Sequence, residues 1–281
     1  MKSILCPVDF SKNAANAAVY AAALGNDFKS DLFLLHVYET PAVFSEMDFT
    51  VLGNIEAVVK DAAVKKMAAL QRKLARKFRN IRIETGVVRG SAMNEIQLYA
   101  DKVSADMIVM GTTGMTKMAR LLMGSTTSTV IQHASCPVLC IPPGAVYKHI
   151  RKIVFATDLK EDNITAATGL SPFAKKFDAE IVFVFVDDRH LIHANDEVSR
   201  MTKKIRSRVK YPKISGFISK HTSITKGLEY FLKKRPADML ALFTHRKHFP
   251  QSLFNQSVTK LMSHQTNIPM LSLHAADMKV I

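Results

Sequence analysis

The chain has 281 residues, of which 48% are hydrophobic and 22% are charged, as in a soluble globular protein of one large or two ordinary domains. Its formal net charge is +15, with 23 Lys and Arg against 12 Asp and Glu in residues 147–281 and 16 against 12 in the first 146. A basic surface can attract nucleic acid, anionic lipid or an acidic protein. No interleaved aromatics or known motif accompany the charge, so we expect a solvated surface that does not bind nucleic acid.

Membrane and secretory classes are also excluded by the sequence. No apolar run approaches the ~18 residues that a membrane helix needs, and the N-terminal apolar run is too short for a signal peptide. Cys6, Cys136 and Cys140 lie in apolar surroundings, which predicts buried, reduced thiols in a cytoplasmic protein. Cys136 and Cys140 could instead form a redox or metal pair, but Pro137 separates them and we favour core packing.

Short apolar runs alternate with longer amphipathic stretches in the first half of the chain. The runs are rich in β-branched residues and too short for helices, whereas the stretches between them have apolar residues at three- and four-residue steps. The predicted strands are ILCPV (4–8), LFLLHV (32–37), IRIETGVV (81–88), MIVM (107–110) and PVLCI (137–141). The predicted helices span residues 11–28, 54–79, 91–102 and 125–134.

The second half repeats this order. KSILCPVD at 2–9 matches RKIVFATD at 151–158, and from Ala105 onward the two copies align at a constant offset of 132. The corresponding apolar runs lie at 151–156, 180–186, 214–218, 238–243 and 268–273. We therefore predict two tandem domains, 1–144 and 145–281, divided at the Pro142-Pro143-Gly144 break. Each should be a doubly wound, Rossmann-like α/β domain with a five-stranded parallel sheet.

In such sheets ligands bind beyond the carboxyl ends of the strands. The first strand ends in Pro7-Val8-Asp9, where Asp9 can accept hydrogen bonds from a ribose or an amine. Ser11 is a suitable cap for a helix that begins at Lys12. Both residues could instead be caps alone, and for Ser11 that alternative is favoured at least as much as a binding role.

The fourth strand leads into GTTGMTKMARLLMGSTTST, from Gly111 to Thr129. We expect Gly111 to let the chain turn in a conformation that other residues resist, and Gly114 to permit a second close approach. Gly124 leaves the first backbone N–H groups of the next helix open, and Ser125 and Thr126 add hydroxyl donors. This predicts a phosphate site, with a simple turn and helix cap as the alternative. The spacing excludes a P-loop and disfavours a dinucleotide fingerprint.

The pattern Gly111-x2-Gly114-x9-Gly124-Ser125, with ILCPVDFS at the N-terminus and LLHVY at 34–38, resembles the universal stress protein family over essentially the whole chain. The resemblance implies an adenine nucleotide alpha-hydrolase-like fold and bound ATP. It also implies pairing through a sheet edge, so that a tandem chain resembles a fused dimer, with a further homodimer left open. The implied nucleotide-binding residues are Pro7, Val8, Asp9, Ser11, Val37, Arg89, Gly90, Met110, Gly111, Thr113, Gly114, Gly124, Ser125 and Thr126.

The second copy departs from the motif. At the offset of 132, Phe243, Arg246 and Gln256 replace the three glycines, and the serine persists as Ser257. Asp158 still ends the first strand of this copy. We nevertheless predict no ATP site here, because Phe243 cannot cheaply adopt the glycine conformation and Gln256 places a side chain where the phosphate would lie.

Histidines offer the second copy a different ligand. His245 and His248, or His190 and His193, are spaced so that each pair could share a metal. No cysteine accompanies them, and solvated basic loops are the favoured alternative.

Nucleotide binding does not require turnover. Asp9 could carry a Mg²⁺ ion, but no second carboxylate or general base accompanies the glycine segment. The sequence thus predicts a non-catalytic ATP-binding stress-response protein, which would act through a protein partner that the sequence does not identify. The alternatives are a slow ATPase and a module that binds an acidic partner through the basic second domain.

Overall fold

The computed structural model describes residues 1–39, 49–112, 124–244 and 268–274. The elements of the first half are β1 (Ser3–Pro7), α1 (Lys12–Phe28), β2 (Asp31–Tyr38), α2 (Phe49–Lys77), β3 (Ile83–Arg89), α3 (Ala92–Lys102), β4 (Met107–Gly111), α4 (Ser125–His133) and β5 (Val138–Ile141). Those of the second half are β6 (Lys152–Thr157), α5 (Asp162–Phe177), β7 (Glu180–Asp187), α6 (Ala194–Val209), β8 (Ile214–Lys220), α7 (Ile224–Lys234), β9 (Met239–Thr244) and β10 (Met270–His274). Every predicted strand and helix is present, and the largest difference is that α2 begins at Phe49 rather than at residue 54.

The strands form one ten-stranded sheet in the order β3-β2-β1-β4-β5-β10-β9-β6-β7-β8. Within each half all pairs are parallel, as predicted, while β5 and β10 pair antiparallel at the centre. There Leu139 pairs with Leu271, its own equivalent at the offset of 132. A local two-fold axis therefore passes through this pair, and the two halves meet as the subunits of a symmetric dimer would.

The repeat extends to single hydrogen bonds. In the first half Asp106 Oδ2 accepts from the backbone N–H of Ser3 at 3.1 Å and from that of Lys2. In the second half Asp238 Oδ2 accepts from the backbone N–H groups of Lys152 at 3.0 Å and Arg151 at 2.8 Å. Each carboxylate fixes the start of the first strand of its half to the loop before the fourth strand.

Helices cover both faces of the sheet. Successive residues of β1 point to opposite faces, so Ile4 and Cys6 join one core and Leu5 the other. The alanine-rich face of α1 lies directly on the sheet, because Ala17, Ala18, Ala21 and Ala22 are all buried.

The two halves share their core beside the central strands. Phe28 of α1 stacks on Phe173 of α5 with 5.4 Å between the ring centroids, and Tyr20 meets Tyr147 edge-on at 4.9 Å. The Tyr147 hydroxyl also donates to Asp27 at 2.5 Å. Aromatic packing therefore continues from one half into the other on this face of the sheet.

The prediction for the cysteines is confirmed. Cys6, Cys136 and Cys140 are buried and form no disulfide with one another, and burial raises the pKa of the Cys6 thiol to about 12. Within the described ranges, no helix is long and apolar enough to cross a membrane.

Candidate functional site

A cleft of about 350 Å³ opens at the carboxyl ends of β1, β2 and β4. The sheet runs outward in opposite directions from β1 and β4, so the cleft lies at the switch point where open α/β sheets bind ligands. Of the predicted site residues, the lining contains Pro7, Val8, Asp9, Val37, Met110, Gly111, Gly124, Ser125 and Thr126. It also contains Ala14, Leu35, Ala92, Ile96 and Thr127, which the sequence analysis did not single out.

Three of the missed residues share a face of a strand or helix with another lining residue. Leu35 lies two residues before Val37 in β2 and therefore shares its face of the sheet. Ala92 and Ile96 are separated by one turn of α3 and therefore share a face of that helix. The strand period applied from Val37 would have found Leu35, whereas no predicted site residue lies on α3 to lead to Ala92 and Ile96.

The turn after β1 places Asp9 at the mouth of the cleft. Phe10 adopts a left-handed conformation with φ 62°, and Asp9 Oδ1 then accepts from the Ser11 backbone N–H at 2.9 Å. Ser11 Oγ accepts from the Ala14 backbone N–H at 3.0 Å, which confirms Ser11 as the cap of α1. Asp9 lines the cleft and Ser11 does not, so only Asp9 of these two residues is placed to contact a ligand there.

The end of β4 and the start of α4 form the opposite wall. The Gly124 N–H donates to Thr112 O at 2.8 Å, and Thr127 Oγ1 donates to Gly111 O at 2.9 Å. These bonds hold the first turn of α4 against the end of β4. The N–H groups of Ser125 and Thr126 belong to that first turn, where α-helical N–H groups have no partner within the helix. They therefore present hydrogen-bond donors and the positive end of the helix dipole to the cleft. Thr113 and Gly114 lie outside the described residues.

The expected role of Gly111 needs correction. Among the described glycines, only Gly90 and Gly144 have a positive φ, so Gly111 keeps a conformation open to other residues. Its constraint is steric, because an added Cβ would lie 2.7 Å from Asn13 Nδ2 and 3.1 Å from Asn13 Cγ. Glycine at this position lets α1 approach the end of β4.

The floor of the cleft is apolar. Val8, Leu35, Val37, Ile96 and Met110 contribute aliphatic or thioether side chains, and the Val8 N–H is already bonded to Leu35 O at 2.7 Å. An apolar floor beside a wall of N–H donors and a single carboxylate suits a ligand with a flat apolar part and an anionic part.

Arg89 and Gly90 stand outside the lining. Arg89 Nη1 donates to Glu56 Oε2 at 2.9 Å, and the Tyr38 hydroxyl donates to the other oxygen of the same carboxylate at 3.4 Å. Gly90 has φ 151°, and a Cβ there would lie 2.6 Å from Glu95 Oε1. Gly90 is thus required by its backbone conformation, and Arg89 is paired with α2 rather than directed into the cleft.

At the equivalent corner of the second half, the carboxylate at the end of the first strand is bonded to neighbouring residues. Asp158 corresponds to Asp9, and Asn163 corresponds to Ala14 at an offset of 149. Asn163 Nδ2 donates to Asp158 Oδ1 at 2.6 Å, and Lys160 donates through its backbone N–H at 3.3 Å and through Nζ to Oδ2 at 3.0 Å. Partial burial alone would raise the pKa of Asp158, but these hydrogen bonds and the Lys160 charge hold it below its ordinary value. Asp158 is therefore committed to internal partners.

The other features predicted for the second half are partly described. Phe243 is buried at the position of Gly111, while Arg246, Gln256 and Ser257 lie outside the described residues, as do His245 and His248. His193 Nδ1 lies 3.7 Å from Asp196 Oδ2. Over the part of the chain that the structure describes, no cluster of three His, Cys, Asp or Glu residues could hold a metal ion.

Comparisons with known proteins agree with this architecture. The model of the universal stress protein family matches residues 1–142. Universal stress protein MJ0531 of Methanocaldococcus jannaschii is 33% identical over 143 residues, which are 50% of this chain and 81% of that protein. Universal stress protein Sll1654 of Synechocystis is 34% identical over 141 residues, which are 50% of this chain and 85% of that protein. A universal stress protein structure from Archaeoglobus fulgidus shares the fold over 97% of this chain and 96% of its own, with a TM-score of 0.73 and 15% identity.

Proposed function

This chain belongs to the universal stress protein family, and from that premise we propose that it binds ATP in the cleft of its first half, without hydrolysing it. The observation that carries the proposal is one cleft that joins a helix N-terminus, a carboxylate and an apolar floor. These three chemistries complement the phosphates, the ribose and the adenine of one nucleotide.

The phosphates would bind at the start of α4. Ser125 and Thr126 line the cleft, where their N–H groups and hydroxyls would donate to the phosphates, and Gly124 adds no side chain between them and a ligand. A helix N-terminus carries roughly half a positive charge and favours phosphate oxygens. The Thr127 hydroxyl already donates to Gly111 O, so its role is to hold the start of α4 against the end of β4.

The nucleoside would bind toward β1 and β2. Asp9 Oδ1 accepts one backbone N–H, and the carboxylate has further lone pairs for the ribose hydroxyls. The adenine ring would lie on the apolar side chains of Val8, Val37 and Met110, with the backbone of Val37 at its edge. Arg89 would border the cleft from outside its lining.

We assign one nucleotide to each chain. In the second half Asn163 donates a hydrogen bond to the carboxylate of Asp158. The buried Phe243 lies at the position equivalent to Gly111, where the first half has no side chain. The second half would then serve as a structural copy, held to the first through β5 and β10.

We propose that the chain does not hydrolyse ATP because of the side chains that line the cleft. Among the described residues that line the cleft, Asp9 is the one ionisable side chain. A Mg²⁺ ion there would have Asp9 as its protein ligand, with nucleotide oxygens and water completing the octahedron that it requires. Hydrolysis also needs a group that positions water, and the part of the lining that the structure describes holds no second carboxylate to do so. We infer a cytoplasmic stress-response protein whose nucleotide state governs association with a protein partner.

Calorimetry on the full chain tests this function. We expect about one ATP per chain in the wild-type protein and loss of binding in Gly124→Gln, because the new side chain lies between the ligand and the α4 N–H groups. Gly53→Gln makes the same change at an exposed glycine of α2 where a Cβ meets nothing within 4 Å, and it should bind as wild type does. No binding to the wild-type chain would refute the nucleotide site, and two ATP per chain would refute the assignment of a single nucleotide to each chain.

A slow ATPase remains the alternative, and phosphate release separates it from simple binding. Release by the purified chain that disappears in Gly124→Gln would establish turnover at this site and overturn the non-catalytic proposal. Release that persists unchanged in the variant would come from a contaminating enzyme.

A further inference from the structure

Strand β8 ends the ten-stranded sheet, and beside it lies a groove of about 590 Å³ that the nucleotide proposal does not use. One wall of this β8 groove is α6, which contributes Asn195, Ser199, Thr202, Lys203 and Arg206. The other wall is β8 itself, from Gly216 to Ile218. Within the described ranges, no strand pairs with the outer edge of β8.

The pairing of β8 with β7 determines which backbone groups face the groove. The Ile181 N–H donates to Lys213 O, and the His221 N–H donates to Asp187 O. In a parallel pair, alternate residues of a strand bond to the same neighbour, so the odd-numbered residues of β8 are directed at β7. The N–H and C=O groups of Gly216 and Ile218 are therefore directed away from the sheet and into the groove.

Side chains leave this part of the edge open. Arg206 donates to Ile214 O and so covers the outward carbonyl at the start of the strand. Beyond it, a Cβ on Gly216 would collide with Thr202, so glycine keeps α6 close to the strand without covering its edge. The Phe217 ring points to the opposite face, where it meets Phe231 at 5.8 Å and Arg235 at 4.1 Å.

The groove lies in the most basic part of the second half. Residues 194–220 carry eight Lys and Arg against two Asp and Glu. Two of these cations are neutralised, in the pairs Lys204–Glu161 and Lys213–Asp178. Lys203 and Arg206, which line the groove, take part in none of the ion pairs found in the described ranges.

We propose that the β8 groove binds an acidic, extended segment of a partner protein, which adds to the sheet as a further strand beside β8. The outward N–H and C=O groups of Gly216 and Ile218 complement a peptide backbone, as in other cases of strand addition. Lys203 and Arg206 select acidic side chains on the incoming segment. A nucleic acid fits less well, because it has no backbone amides to pair and no aromatic ring in this wall is free to stack on a base.

Fluorescence anisotropy tests whether the β8 groove selects acidic peptides. The probe is a labelled octapeptide of alternating Glu and Val, and the control is an octapeptide of alternating Lys and Val. We expect the full chain to bind the acidic peptide only, and to bind it more weakly in high salt. Lys203→Glu should weaken binding about tenfold or more, because it replaces an attraction in the groove by a repulsion. Arg208→Glu makes the same charge change on α6 outside the groove lining and should have a much smaller effect. Equal effects of the two variants, or no binding of the acidic peptide, would overturn the proposal.

Amide hydrogen exchange tests the strand addition. On binding, the Gly216 and Ile218 N–H groups should become protected, while those of Phe217 and Ser219, already directed at β7, should change little. Binding without protection at Gly216 and Ile218 would overturn the added strand. Two other results would also overturn the proposal. If an oligothymidylate bound at this edge more tightly than the acidic peptide, the groove would be a nucleic-acid site. If sedimentation showed a self-association that Lys203→Glu abolishes, the groove would bind a second copy of this chain.

Discussion

Replacing Ala14 by asparagine should engage the Asp9 carboxylate of the first half as Asn163 engages Asp158 in the second. Ala14 is buried and lines the cleft, and its equivalent Asn163 donates to the Asp158 carboxylate at 2.6 Å. An asparagine at position 14 would reach Asp9 in the same way. Asp9 Oδ1 already accepts the Ser11 N–H at 2.9 Å, so a second internal donor would compete directly with a ribose hydroxyl.

The size of the effect follows from the bond that is lost. An amide is small against a cleft of about 350 Å³, so filling the space is the lesser effect. A hydrogen bond to a charged group is worth roughly 1.5–3 kcal/mol, and its loss corresponds to about a 10- to 150-fold weaker affinity for ATP. Calorimetry at constant salt measures this directly.

Ala15→Asn is the matched control, because it makes the same change one residue further along α1, outside the cleft lining. It should bind ATP as the wild-type chain does, with an unchanged circular dichroism spectrum in both variants. If Ala14→Asn and Ala15→Asn have the same affinity as wild type, Asp9 does not contact the nucleotide and the geometry argued from Asp158 is wrong.

Two further predictions concern stability. Partial burial would raise the pKa of Asp238, but hydrogen bonds from Lys148 and two backbone N–H groups lower it below the ordinary value. The contribution of the Asp238 carboxylate to the stability of the folded state is therefore complete above pH ~4 and is lost as the pH falls through the folded pKa. Asp238→Asn should therefore cost about 1–2 kcal/mol in urea unfolding at neutral pH and much less in acid, and a deficit independent of pH would contradict this. Gly111→Ala should cost about 1–3 kcal/mol, because its Cβ lies 2.7 Å from Asn13 Nδ2 and overpacks the contact with α1. Adding Asn13→Ala should recover part of the loss in Tm, and a strictly additive double variant would mean that the two residues do not collide.

The fold was largely predictable because its signals are local. Strands buried on both faces must be almost entirely apolar, and MIVM at 107–110 and its repeat in ADMLAL at 237–242 carry that signal without ambiguity. Helix starts were located where a capping residue marks them, as Ser11 does for α1. The start of α2 at Phe49 was missed, since a glycine at 53 interrupts the helical pattern in the sequence.

The candidate site was predicted less completely. A sequence indicates which strand ends carry suitable groups, so Asp9, Gly124 and Ser125 could be placed at one edge of the sheet. It did not indicate that Arg89 pairs with Glu56, because that contact joins α2 to β3 across 33 residues. The hydrogen bond from Asn163 to Asp158 was also missed, although the alignment of the two first strands makes Asn163 the equivalent of Ala14.

The sequence by itself determined the alternation of strands and helices, the duplication, and the side of the sheet on which a ligand could bind. These follow from burial periodicity and from the geometry that all parallel sheets share. Only the tertiary structure decided that the halves join edge to edge through Leu139 and Leu271, that Gly111 is required for space rather than for its φ, and that Asp158 is consumed by its neighbours. Each of these depends on which distant atoms meet, and no local pattern in the chain specifies that.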